Sequence, residues 1–257
     1  MINQAKKLDT VHSDIRGPLF YEAMELQKQG IEVLKLNTGN PASFGFQMPD
    51  SIYNALKDRE QLAVGYCDFQ GMPEARLAIA EYHRSKGIPD VCADDVFIGN
   101  GVSEVASFAL QALLDTDDEV LVPTPCYSLW SNSIRLCSAK PVFYMCDELS
   151  GWAPDCKDII SKITPKTKAI VVINPNNPTG SLYPDDVLLQ IADIARQKNL
   201  LIFLIKIYLF KAVACEFNYM VVAVVFEDFN GFAEVEVKIF RSVGVAVYCD
   251  LATLGKN

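Results

Sequence analysis

The chain has 257 residues, half of them hydrophobic and 21% charged, enough to bury a sizeable core in one or two domains. Its 32 acidic and 23 basic residues leave a formal charge of -9, so no basic face is available to a nucleic acid. The eight cysteines include no C-x-x-C pair and only His12 and His83 could join them at a metal, so buried thiols in a reducing compartment are expected. The opening MINQAKKLDT lacks the apolar segment of a signal peptide and no Arg- and Ser-rich presequence follows, which makes the cytosol the expected location.

Residues 18–29, PLFYEAMELQKQ, begin with a proline suited to a first helical turn and stop at Gly30, which predicts a short N-terminal helix. The stretch 33–46 runs from a strand-like segment into a Gly, Asn and Pro cluster and reads as loop. A second helix is predicted over 73–86, opened by Pro73 and closed by Gly87. From there five short apolar runs recur, at 96–99, 119–123, 141–145, 169–174 and 200–203, as strands buried on both faces require. Helical segments at 103–114, 126–137 and 184–198 separate them, so the rhythm is βαβ and the sheet mainly parallel with helices on both faces. The α/β domain is drawn over 45–257, with 1–44 as an N-terminal arm. After 203 the chain stays apolar but loses both period and punctuation; Lys206, Lys211 and Glu216 interrupt it, and 217–226 falls short of the ~20 residues a membrane helix needs. No membrane span is expected.

Four stretches carry residues suited to chemistry. FIGNGVSE (97–104) ends a strand in glycines and starts a helix, so the amides of Gly101, Val102 and Ser103 and the Ser103 hydroxyl can converge on a phosphate at the positive end of the helix; a plain serine cap and glycine turn is the alternative. INPNNPTG (173–180) makes a polar turn at another strand end, where Asn177 either reaches a ligand or serves an Asx turn. PTPCYSLW (123–130) sets Tyr127 and Trp130 after a third strand, as a stacking face or as packing. GYCDFQGMPEAR (65–76) presents Tyr66 in a Gly-bounded loop. A phosphate cradle, an aromatic plate and a polar asparagine together suit a flat, phosphorylated, heteroaromatic cofactor.

With SDIRGPLFYEA (13–23), LNTGNPASFGF (36–46), GYCDFQG (65–71), IGNGVSE (98–104), LVPTPCYSLW (121–130) and VINPNNPTG (172–180) in this order, the sequence resembles the class I/II, fold-type I pyridoxal-phosphate aminotransferases, and among them the alanine aminotransferase group. The resemblance covers residues 11 to about 203. It implies the large domain of a PLP-dependent transferase, with Gly101, Val102 and Ser103 on the cofactor phosphate, Tyr127 stacked on the pyridine ring, and Asn177 and Tyr208 on its phenolic oxygen. Gly39, with Asn177, would meet the substrate, and Tyr66 would reach the phosphate of the neighbouring subunit in a homodimer. The implied reaction moves an amino group between an amino acid such as L-alanine and 2-oxoglutarate.

Where the family reads F-A-D-E-I-Y, this chain has Phe203, Leu204, Ile205, Lys206, Ile207 and Tyr208, so Ile205 replaces the aspartate that keeps the pyridine nitrogen protonated. A neutral ring is a weaker electron sink, and impaired catalysis follows. Counting on from Tyr208 places Lys238 at the Schiff-base lysine, since KIFRSVG (238–244) is similar to the family's K-x-Y-R-x-x-G and sets Arg241 at the phosphate-binding arginine. A competing register on Phe229, Asn230 and Gly231 places Glu234 there instead; the gapless match favours Lys238. The family's C-terminal small domain and its substrate arginine have no counterpart before Asn257, so a truncated or frame-altered product is expected. The alternative function is a non-catalytic chain that binds the cofactor or pairs with a full-length relative.

Overall fold

The computed structural model describes residues 3–12, 17–35, 41–85, 91–208, 219–225 and 246–249, the strand residues beyond 205 through their backbone. Proline opens two helices and directly precedes two more. Pro18 starts α1 (Pro18–Lys28) and Pro73 starts α3 (Pro73–Ser85), where the missing N–H has no helical partner to lose. α2 (Asp50–Asp58) lies between them and was not expected from the sequence, because Ile52 is its one buried side chain and the apolar stripe is correspondingly thin. α7 (Asp185–Lys198) follows Pro184, carries Asp185 and Asp186 in its first turn and Arg196 and Lys198 in its last, each sign matched to the helix dipole. It stops at Asn199, whose φ of 54° turns the chain out of the helix.

Among the described residues eight strands form one sheet in the order β1-β8-β7-β6-β5-β2-β3-β4. They are β1 (Phe97–Ile98), β2 (Glu119–Thr124), β3 (Lys140–Asp147), β4 (Ala153–Pro154), β5 (Thr167–Asn174), β6 (Leu201–Tyr208), β7 (Tyr219–Val225) and β8 (Ala246–Cys249). The pairs β1·β8, β2·β3, β2·β5 and β5·β6 are parallel, whereas β7 runs antiparallel to both its neighbours and β4 to β3. The mainly parallel α/β sheet predicted from the apolar runs is therefore present.

Alternation along the strands assigns each side chain to a face. Val120, Val122, Val171, Ile173, Phe203 and Ile205 pack against α4 (Gly101–Leu113) and α5 (Leu129–Leu136) through Val105, Ala109, Leu110, Trp130 and Ile134. Leu121, Ile170, Val172 and Ile202 pack against α6 (Cys156–Lys162) and α7 through Ile159, Ile191 and Ala195. Each fully buried Leu or Ile contributes about 1.5–3 kcal/mol, so these two layers supply much of the stability.

Several boundaries move. α4 begins at Gly101 rather than 103, which puts Ser103 inside the first turn instead of at the cap, and Asn100 takes the cap position without a side-chain bond. Residues 126–128 belong to a loop, and α5 starts at Leu129. β6 runs through Lys206 to Tyr208, beyond the apolar run expected over 200–203. The apolar tail contributes β7 and β8. Cys146 is buried as expected of a core thiol, but Cys67 and Cys92 are exposed; the six cysteines whose side chains are described are free thiols. Among the described residues no helix is long and apolar enough to cross a membrane.

Candidate functional site

The carboxyl ends of the parallel strands, where open α/β folds take their ligands, carry the loops singled out above. Ile98 leads through Gly99 and Asn100 into α4. Gly101 holds φ at 77°, and its N–H turns back to the Gly99 carbonyl at 3.0 Å. The space beside its Cα is open, whereas a Cβ on Gly99 would lie 2.5 Å from Val105 Cγ2. The amides of Val102 and Ser103 fall in the first turn, where no intrahelical acceptor exists. Glu104 Oε2 accepts the N–H of Asn100, so a carboxylate also sits at this end of the helix.

The other two loops are tied to each other. Tyr127 N–H donates to the Asn177 carbonyl at 2.9 Å, and Asn176 Nδ2 donates to the Pro125 carbonyl at 3.0 Å. Tyr127 is half-buried beside this joint, and Asn177 is exposed. Asn174 and Asn176 do the work of the turn: Asn174 Oδ1 accepts from Tyr183 N–H at 2.8 Å, and Asn176 Nδ2 also reaches Thr179 Oγ1 at 3.0 Å. The side chain of Asn177 makes no hydrogen bond among the described residues, so the Asx role considered for it is taken by its neighbours. Trp130 is not part of a stacking face. It is buried against Phe203, ring centroids 5.7 Å apart, because it enters α5 on the side that faces the sheet.

Val102 from the first turn of α4, Trp130 after the Tyr127 loop, and Ile173 and Ile205 near the ends of β5 and β6 share one apolar cluster, which brings these loops over one stretch of the sheet. Ile205 is fully buried there and pairs in register with Ile173. Tyr208 ends β6 at the same edge, beyond the level of Asn174, which pairs with Lys206. Nearby buried phenols are not acid–base candidates: burial pushes the Tyr144 and Tyr183 hydroxyls far up, and Tyr144 OH donates to the Val171 carbonyl at 2.8 Å.

Tyr66 stands fully exposed in the loop before α3. That loop is organised by Arg76, a residue the sequence reading passed over. Arg76 is buried, donates to Gln70 Oε1, the Gly71 carbonyl and the Ala93 carbonyl at 3.1–3.2 Å, and faces Asp68 at 3.5 Å. Ile98 N–H in turn donates to the Gln70 carbonyl at 2.8 Å, joining the Tyr66 loop to the strand that feeds α4. The signal was present, since Arg76 closes the stretch GYCDFQGMPEAR at the first turn of a helix. Gly39, Glu234, Lys238 and Arg241 lie outside the described residues.

A mainly parallel sheet wrapped on both faces, with a glycine-started helix and two joined polar loops at its carboxyl edge, defines an α/β protein whose candidate site lies at that edge. Comparison with known proteins gives the family. The model for aminotransferase class I and II matches residues 31–211, and the chain belongs to that family. Glutamate-pyruvate aminotransferase AlaA of Escherichia coli (strain K12) is 51% identical over 207 residues, which are 80% of this chain and 51% of that protein. Alanine aminotransferase of Mycobacterium tuberculosis is 48% identical over 206 residues, 80% of this chain and 48% of that one. Among solved structures, an aminotransferase from Escherichia coli superposes with a TM-score of 0.78 at 50% identity, covering 81% of this chain and 52% of that chain. Alanine aminotransferase from Pyrococcus furiosus does so at 0.77 and 38%, covering 83% and 55%. The chain thus spans about half the length of the curated relatives it matches.

The family implies pyridoxal 5'-phosphate, and the donor set can be tested against it. The open space at Gly101 and the unshared first-turn amides suit a phosphate, while the half-buried Tyr127 and the uncommitted Asn177 amide suit a ring and its oxygen substituent. Ile205, buried among apolar side chains, offers no charge to a ring nitrogen.

Proposed function

We propose that this chain holds pyridoxal 5'-phosphate and belongs to an enzyme that moves an amino group between L-alanine and 2-oxoglutarate. The observation that carries the proposal is the cross-loop joint: Tyr127 and Asn177 are bonded to each other at the sheet edge that also carries the first turn of α4. Val102 and Ser103 amides and the Ser103 hydroxyl bind the phosphate, with Gly101 leaving room for it. Tyr127 lies along the ring, and the Asn177 amide, with Tyr208, donates to the phenolic oxygen. Gly39, with Asn177, orients the substrate, Lys238 is the Schiff-base lysine and Arg241 a second phosphate ligand. When bound, the cofactor supplies an aldehyde that captures amino groups and a ring that accepts electron density.

The relatives named as alanine and glutamate-pyruvate aminotransferases support the choice of substrates. A cytosolic homodimer in which Tyr66 serves the partner subunit's phosphate is part of the same reading, as is the division into an arm, 1–44, and a cofactor-binding domain, 45–257. A second reading is favoured by one observation, the full burial of Ile205 in an apolar cluster. A ring nitrogen beside it stays neutral, so this chain would retain the cofactor yet transfer amino groups poorly.

Reduction of the chain with borohydride in the presence of pyridoxal 5'-phosphate, followed by peptide mass spectrometry, tests the site. Selective labelling of Lys238 is expected; diffuse labelling of many lysines would sink the assignment. Pyruvate formation from L-alanine and 2-oxoglutarate then separates the two readings, because the second predicts a labelled chain with little turnover.

A further inference from the structure

Asn176 is 2% exposed and unassigned by the reading above, which gives the ligand-facing role to Asn177. Its backbone closes its own loop: the N–H donates to the Ser181 carbonyl at 2.8 Å, and the carbonyl accepts from Gly180 N–H at 2.7 Å. Its side chain does something else. Nδ2 bonds Thr179 Oγ1 within the loop and crosses to the Pro125 carbonyl on the loop after β2. Two residues further along that loop, Tyr127 N–H returns the link to the Asn177 carbonyl. The two bonds run in opposite directions across the gap, as rungs do, and fix the spacing and the rotation of Tyr127 relative to Asn177.

Asn176 Oδ1 has no hydrogen-bond partner among the described residues. A buried acceptor left unmatched is destabilising, a penalty that an apolar side chain of similar size would avoid. The donor half of the amide is therefore what the position needs. We infer that Asn176 is a positioning residue, holding Tyr127 and Asn177 in register across the cofactor site through its bond to the Pro125 carbonyl. The inference rests on the proposed site, but the clamp itself is measurable without cofactor.

The test is hydrogen exchange at the Tyr127 amide of the cofactor-free full chain, paired with equilibrium binding of pyridoxal 5'-phosphate. Asn176→Ala is expected to speed Tyr127 exchange and to weaken binding each by about tenfold, the effect of losing the neutral hydrogen bond that crosses to Pro125. Asn176→Asp keeps the shape, so it serves if the alanine variant does not fold. Ionised, it has no proton to donate; protonated, its hydroxyl can donate to Pro125 again, so protection relative to wild type should return on acidification. Unchanged Tyr127 exchange in the folded variants, or an Asn176→Asp profile with no recovery, overturns the clamp. Faster exchange with unaltered affinity overturns its positioning role. Failure of the wild-type chain to bind the cofactor would overturn the proposed function, while the exchange data would still decide the clamp.

Discussion

Gly71 and Gly101 both adopt left-handed backbone, at φ of 103° and 77°, yet their surroundings separate them. A Cβ at Gly71 would stand 2.8 Å from Ile98 Cβ, whereas Gly101 faces open space. Gly101→Ala should therefore cost about 1–2 kcal/mol from backbone strain alone, and Gly71→Ala more, because β1 must also shift; urea denaturation of the two variants measures the gap. Ile205→Asp places a carboxylate in an apolar cluster and should destabilise the cofactor-free chain by about 3 kcal/mol or more. Added pyridoxal 5'-phosphate should return part of that loss to the variant if a ring nitrogen can be protonated beside it, and thermal melts with and without cofactor read the difference. At this scale the sequence singled out the loops of the candidate site but could not divide labour within them. Nothing in NPNNPTG says that the first two asparagines build the turn and the third is left over, since that depends on Pro125, far away in the chain. Trp130 was open for the same reason: whether an aromatic after a strand faces ligand or core depends on where the next helix starts.

Elements opened by proline were legible to within a residue or two, because Pro18 and Pro73 act locally and the helices that follow need no distant partner to begin. α6 was missed although Asp155 caps it with Oδ1 on the N–H groups of Lys157 and Asp158, a local signal that seven residues of helix are too short to reinforce with periodicity. The start of β2 is held by a charged group. Glu119 bonds the Thr164 hydroxyl at 2.6 Å and Lys140 Nζ at 3.0 Å, tying β2 to the approach to β5 and to β3. The Thr164 hydroxyl first, and then Lys140, hold its carboxyl below the usual glutamate range. A depressed acid contributes stability above its unfolded pKa and loses it as pH falls through the folded value. Thr164→Val should thus cost about 1.5 kcal/mol at neutral pH, and the gap to wild type should close as pH falls below the usual glutamate range, as followed by denaturant midpoints. The arm is fastened by two side chains: Asn132 on α5 bonds both the N–H and the carbonyl of His12, and Lys7 Nζ donates to the Leu136 carbonyl at 2.8 Å. Asn132→Ala should speed proteolysis within residues 3–12 severalfold while leaving the melting temperature of the sheet almost unchanged.

Across the whole molecule, large apolar side chains remain in the open: Leu19, Leu34, Val64, Tyr66 and Phe69 are all exposed, and three of them cluster in sequence around the loop that Arg76 organises. A second copy of the chain would cover such a surface, so sedimentation should show concentration-dependent association, and Phe69→Glu should shift it strongly towards monomer. The overall architecture was readable as βαβ rhythm, but the place of the tail was not. Runs such as YMVVAVV carry strand composition without stating a partner, and β7 turns out to run against the direction of β6. One pairing carries a consequence for synthesis. β1 borders β8 through Phe97 with Val247 and Ile98 with Tyr248. At roughly 5–20 residues per second a ribosome delivers those partners on the order of ten seconds after Phe97 itself. Through that interval β1 has no strand to pair with, and of its native backbone bonds the one from Ile98 N–H to the Gln70 carbonyl can already form.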